Sequence, residues 1–195
     1  MVVTNIKLKH LEIILSQLMP HPKPKLKLEE YTIDSQSATR LLYIAEYVNR
    51  DLCNKRVIDL GCGTGRLAIG AKLLGAELIL FQAFLTPTLG VAYEGVSVSP
   101  TEFKEREEEI RASAMAYLDS LGKRFQEKGL GTSSVVRLGS AADQILEYAE
   151  ANAVNVIVMS THGRSGIGRW VLGSVTDKVL HAGDMPVLTV RATRV

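Results

Sequence analysis

The stretch RVIDLGCGTGRLAIGAKLLGAELILFQAF, residues 56–84, decides the fold. RVIDL (56–60) is a short apolar strand. GCGTG (61–65) interrupts it, RLAIGAKLLG (66–75) reads as a helix, and ELILFQAF (77–84) is a second strand. Strand, glycine-rich turn, helix and strand make one unit of a parallel sheet, because parallel neighbours need a crossover between them.

The alternation continues toward the C-terminus. A loop of roughly fifteen residues follows, long for a compact domain. Ser99, Pro100 and Glu102 then form a capping box with proline at the first helical position. The core face of that helix is Phe103, Ile110, Ala114, Tyr117, Leu118, Leu121 and Phe125, and Gly129 ends it. SSVVRLG (133–139) is a third strand, and Ser140 and Asp143 open another helix. VNVIVMST (154–161) is apolar enough to be a central strand buried on both faces. GSVTDKVLHAG (173–183) holds a short helix, and MPVLTVRA (185–192) is the fifth strand. Five strands alternating with helices imply a doubly wound α/β domain with helices on both faces.

Upstream of residue 56 the pattern is helical. Ile6, Leu8, Leu11, Ile14, Leu15 and Leu18 fall close to one stripe. PHPKPK (20–25) cannot continue that helix and reads as an extended linker. A second helix starts near Asp34 or Ser35, either of which can cap it, and turns Leu41, Leu42, Ile44, Ala45 and Val48 inward. The expected organisation is one domain over 1–195, with a helical extension at 1–55.

Composition narrows the function. The chain has 195 residues, 46% hydrophobic and 23% charged, with a net charge of +2. That charge is too small to imply a nucleic-acid or membrane partner. No apolar run approaches the ~20 residues that span a bilayer. The N-terminus lacks a small-residue cleavage site behind an apolar core, so a cytoplasmic setting is expected. Cys53 and Cys62 form no metal spacing and the four histidines are scattered, so no metal is expected. Lys7, Lys9, Lys23, Lys25 and Lys27 lie near acids and have no aromatic platform beside them. They read as solvated, and contact with RNA is not expected.

Two glycine-rich turns carry the chemistry. Glycines after a strand let the backbone approach a ligand, and the helix that follows presents free N–H groups to an anion. The first turn, VIDLGCGTG (57–65), resembles the first motif of S-adenosylmethionine-dependent methyltransferases. The resemblance extends upstream through LEEYTIDSQSATRLLYIAEYV, and residues 1–76 resemble the N-terminal part of an archaeal RNA methyltransferase-like family. It implies Asp59, Gly61, Gly63 and Gly65 as the cradle for the methionine part of the cofactor. Two parts of such an enzyme are missing. FQAFLTPTLG offers no acid for a ribose near the end of the second strand, and the first acid afterwards is Glu94. The six prolines include no adjacent pair, so the family's Pro-Pro catalytic signature is absent. S-adenosylmethionine is therefore not expected as a cofactor, no catalytic residue is assigned, and these glycines read as a strand-to-helix turn.

The second turn, VIVMSTHGRSGIGRWVLGSVTDKVL (156–180), is the more specific. It resembles the universal stress protein family, whose ATP-binding pattern is Gly, two residues, Gly, nine residues, Gly-Ser or Gly-Thr. Ser160, Gly163, Gly173 and Ser174 occupy those positions, with Ser160 in place of the first glycine. The resemblance covers roughly 77–195. It implies ATP as a ligand, with Gly163, Gly173 and Ser174 at the phosphates and Ala83, Met159 and Val175 lining the adenine and ribose. It also implies a homodimer through the last strand. His162 reads as a loop residue and Trp170 as a packing residue. The family's first strand ends in an acid that touches adenosine; here VIDLGCGTG stands in its place.

Both families are doubly wound with strand one in the middle, so the joined pieces can keep the order 3-2-1-4-5. The chain reads as a recombinant, with 56–76 supplying a methyltransferase-like strand and helix. Three functions follow: a nucleotide-binding module without catalysis, a folded chimera without evolved activity, and a methyltransferase. The first two stand close together and the third well below them.

Overall fold

Five parallel strands lie in the order β3-β2-β1-β4-β5. The structure is a computed structural model that describes residues 6–18, 33–60, 65–85, 99–160 and 173–190. The strands are β1 (Arg56–Leu60), β2 (Glu77–Phe84), β3 (Thr132–Leu138), β4 (Val156–Ser160) and β5 (Val187–Val190). The helices are α1 (Leu8–Ser16), α2 (Ser35–Tyr43), α3 (Arg66–Leu73), α4 (Pro100–Gln126), α5 (Ala141–Ala151) and α6 (Ser174–Ala182). The expected strand order is the observed one. β4 is an interior strand between β1 and β5, and Val156, Ile157, Val158 and Met159 are all buried, as its continuous apolar run requires.

Alternation along the strands builds two apolar layers. Val57 of β1 with Leu78 and Leu80 of β2 faces the layer formed with α1, α2, α3 and α4. Ile58, Ile79 and Phe81 face the opposite layer, formed with α5 and α6. Crossovers toward β3 put their helices on one face and crossovers toward β5 put theirs on the other, as right-handed connections dictate. The N-terminal extension completes the first layer, where Leu188 and Val190 of β5 also pack.

Local chemistry explains the element ends. The Asp34 side chain accepts from Ser37 N at 2.8 Å and caps α2. Ser99 and Glu102 form the reciprocal capping box of α4. Gly129, in the left-handed region at φ +73, follows the end of that helix. Ala114, Leu118, Leu121 and Phe125 are buried as expected, whereas Tyr117 is exposed.

The extension departs from its expected stripe. Leu8 and Ile14 are exposed, and Ile6, Leu11, Leu15 and Leu18 carry the contact. After α2 the chain passes into a π-helical turn, Ile44–Val48, in which Asn49 N donates to Ile44 O. The wider turn slips the inward stripe by one position. Ile44 and Val48 are therefore 51% and 67% exposed, while Ala45 and Glu46 are buried. The Glu46 carboxylate accepts from the backbone N–H of Leu52 and Cys53 at 3.1 and 2.8 Å, tying the turn that feeds β1.

Candidate functional site

In this strand order the sheet reverses direction of winding between β1 and β4. The helices that follow these two strands leave on opposite faces, which opens a crevice at the strands' carboxyl ends. Two helix N-termini flank it.

The first belongs to α3. Gly65 is its N-cap, at φ +74. A Cβ there would lie 2.9 Å from Phe125 Cζ, so both the backbone conformation and the packing demand glycine. Asp59 sits beneath this turn, opposite Leu80 of β2 and Val158 of β4 in the strand register. It is 4% exposed. Burial pushes its carboxyl up to about 7, opposed by a hydrogen bond from the Ala68 backbone. Its Oδ2 has no partner among the described residues, and neither has Oε1 of Gln82.

Arg66 opens the helix and points away from the crevice. Its guanidinium donates to Leu15 O at 3.2 Å, Ile33 O at 2.5 Å and Leu18 O at 3.0 Å. This clamp fastens α1 and the start of α2 to the glycine turn. One turn further on, a Cβ at Gly70 would fall 2.2 Å from Leu42 Cδ1, so α2 packs directly on the α3 backbone.

The second N-terminus belongs to α6. Gly173 is its N-cap in an extended conformation, φ −61 and ψ 146, with no side-chain cap. The first amides of α6 form the anion-binding arrangement of a helix start. Met159 belongs to the α5–α6 layer, and Ala83 and Val175 pack against the same cluster. The sequence-assigned lining residues thus share one apolar layer, while Asp59 faces the other. Ser160 pairs with Val190 at the end of β4. Gly61, Gly63, Gly163, His162 and Trp170 lie outside the described residues. Among the described residues no three His, Cys, Asp or Glu side chains gather as a metal site, and no helix is long and apolar enough to cross a membrane.

The universal stress protein family model matches residues 65–191. The chain belongs to the universal stress protein family. The match begins at Gly65, ahead of the Glu77 boundary read from the sequence. The chain is 30% identical over 104 residues to universal stress protein MJ0577 of Methanocaldococcus jannaschii, covering 53% of this chain and 63% of that one. A second set of relatives matches a shorter segment. The uncharacterized protein MJ0284 of the same organism is 60% identical over 72 residues, 37% of this chain and 32% of its own length. The rRNA N(6)-adenosine-methyltransferase METTL5 of Danio rerio is 44% identical over 73 residues, 37% of this chain and 35% of its own.

Solved structures share the fold. The MJ0577 structure aligns with TM-score 0.60 at 20% identity, over 72% of this chain and 98% of that one. A putative RNA methyltransferase, PH1948 from Pyrococcus horikoshii, aligns with TM-score 0.53 at 22% identity, over 96% of this chain and 74% of its own. Arg66, Gln82 and Glu46 were not singled out from the sequence. Gln82 alone left a signal there, as the one polar residue inside ELILFQAF (77–84) after its first position.

Proposed function

We propose that the chain is a nucleotide-binding module without catalysis, in which a methyltransferase-derived first strand and helix replace those of a universal stress protein. The observation that carries the reading is the start of α6 at the extended Gly173, which follows β4 beside the β1–β4 switch point. Gly163, Gly173 and Ser174 hold the phosphates of ATP in this reading. Ala83, Met159 and Val175 line the nucleoside, and Ser160 replaces the glycine of the family pattern. Asp59 lies in the layer away from those three residues, so adenosine contacts are weaker than phosphate contacts. ATP and GTP therefore bind alike and with modest affinity. Residues 1–195 act as one cooperative domain, in the cytoplasm, and dimerise through the edge of β5.

S-adenosylmethionine is a poor candidate, because β2 ends in Gln82, Ala83 and Phe84 and offers no acid to a ribose. The test is calorimetric titration with ATP and with S-adenosylmethionine, beside an assay for labelled methyl transfer. Heat from ATP and no methyl incorporation into RNA, DNA or protein is the expected result. Methyl incorporation that disappears in Asp59→Ala would show the enzyme reading to be right instead. Binding of neither ligand favours the second reading, a folded chimera without evolved activity.

A further inference from the structure

Two buried side-chain oxygens lack partners among the described residues, and the sheet sets them side by side. Asp59 pairs in register with Leu80, and Gln82 follows Leu80 by two residues. Strand parity puts Asp59 with Val57, and Gln82 with Leu78 and Leu80, on the face covered by α3. They are diagonal neighbours on adjacent strands, a separation that a long side chain such as glutamine can bridge. Both atoms are acceptors when Asp59 is ionised, and two buried acceptors cannot satisfy each other. With the Gln82 amide oxygen turned toward the carboxyl, one proton removes the conflict, because a neutral carboxyl is a donor.

We propose that Asp59 and Gln82 share one proton, with Asp59 donating through Oδ2 to Gln82 Oε1, and so form a pH-sensitive lock beneath the first glycine-rich turn. The other carboxyl oxygen keeps the bond from the Ala68 backbone, which holds the start of α3 to β1. Burial supplies the drive, and among the described residues no opposite charge offsets it. The titratable residues of α3 are Arg66 and Lys72. Arg66 is engaged with three carbonyls of the extension, and Lys72 lies in the last turn. Glu77, on β2, pairs with Arg56 of β1 at the amino end of the sheet, and β4 carries no titratable group.

The sign follows from linkage. The folded carboxyl sits at about 7, above its ordinary 3.8. The folded state therefore holds a proton that the unfolded state has released. Stability is full below the ordinary value, falls as pH rises toward about 7, and is level above it. Ionisation also brings a negative charge to the switch-point crevice. Resting on the nucleotide-binding reading, ATP should bind more weakly at pH 8 than at pH 6.

The experiment is denaturant unfolding of the full chain from pH 5 to pH 8, for wild type and Asp59→Asn. Asparagine mimics the neutral acid and donates to Gln82. The ratio of the two folding constants should change by about tenfold per pH unit between pH 5 and 7, one proton's worth, with the variant the more stable at pH 8. Difference infrared spectra supply an independent readout. A neutral-acid carbonyl band should be present at pH 5, absent from Asp59→Asn, and moved to higher frequency in Gln82→Leu. A constant ratio across the pH range, an unfolded Asp59→Asn, or a band unmoved by Gln82→Leu overturns the proposal. Loss of ATP binding at every pH with the stability profile intact removes only the nucleotide reading.

Discussion

The two helix starts beside the switch point are built for different work. At α3, Gly65 is left-handed and pressed against Phe125, Asp59 is buried beneath the turn, and Arg66 and Gly70 hold the N-terminal extension. At α6, Gly173 is extended, has no side-chain cap and lies in a region any residue can adopt. The first end spends its polar groups on internal packing, and the second starts at an extended Gly173. The comparison teaches that glycine richness alone does not mark a binding loop. What distinguishes the two ends is the glycine that starts each helix, left-handed and packed on Phe125 at α3 and extended at α6.

The contrast can be broken most severely at Arg66. Arg66→Ala strands three carbonyls at the join between extension and core, and should cost roughly 2–4 kcal/mol in denaturant unfolding. Limited proteolysis of this variant should release the extension by cleavage within 20–30. Wild type should be cut within 20–30 or 86–99 before anywhere else. Early cleavage of wild type at 74–80 into two stable halves would contradict a single cooperative domain.

Gly70 gives a smaller effect whose sign is informative. Alanine raises helix propensity by about 1 kcal/mol. The 2.2 Å approach of Leu42 works against it, because Leu42 is fully buried and has no room to move. Gly70→Ala should therefore lower stability by about 1–3 kcal/mol, the usual range for overpacking. A more stable variant would mean that α2 is loosely docked.

The smallest effect belongs to the exposed tether of α6. Lys178 Nζ lies 2.5 Å from Asp143 Oδ1, with both side chains about half exposed. Their attraction is screened, and Asp143 is held below its ordinary value chiefly by the bond to Lys178. Asp143→Asn should shift Tm by no more than about 1 degree. A large drop would mean that α6 depends on this tether for its position.

Most of the architecture was legible because it rests on local signals. Strand–helix alternation, the Ser99–Glu102 box and the apolar run of β4 each act over a few residues, and each stands where the sequence puts it. The inward face of 44–48 was not legible, since a π-helical turn shifts the stripe and periodicity assumes an ordinary helix. At the candidate site the motif was legible in the sequence, whereas the arrangement around it was not. Ala83, Met159 and Val175 do gather in one layer. The pairing of Asp59 with Gln82 depends on strand register, and the reach of Arg66 to Leu15, Leu18 and Ile33 spans a long sequence separation. Neither is written in any local pattern.

In the proposed function the α6 helix start holds the nucleotide phosphates. Titrating ATP into wild type and into Gly173→Val, with thermal unfolding of both, tests it most directly. The backbone of Gly173 suits valine, so the variant should unfold at the wild-type temperature, while its branched side chain blocks the approach of phosphate. The account predicts heat of binding from wild type and none from Gly173→Val at equal stability. Equal ATP affinity in the two proteins would contradict it.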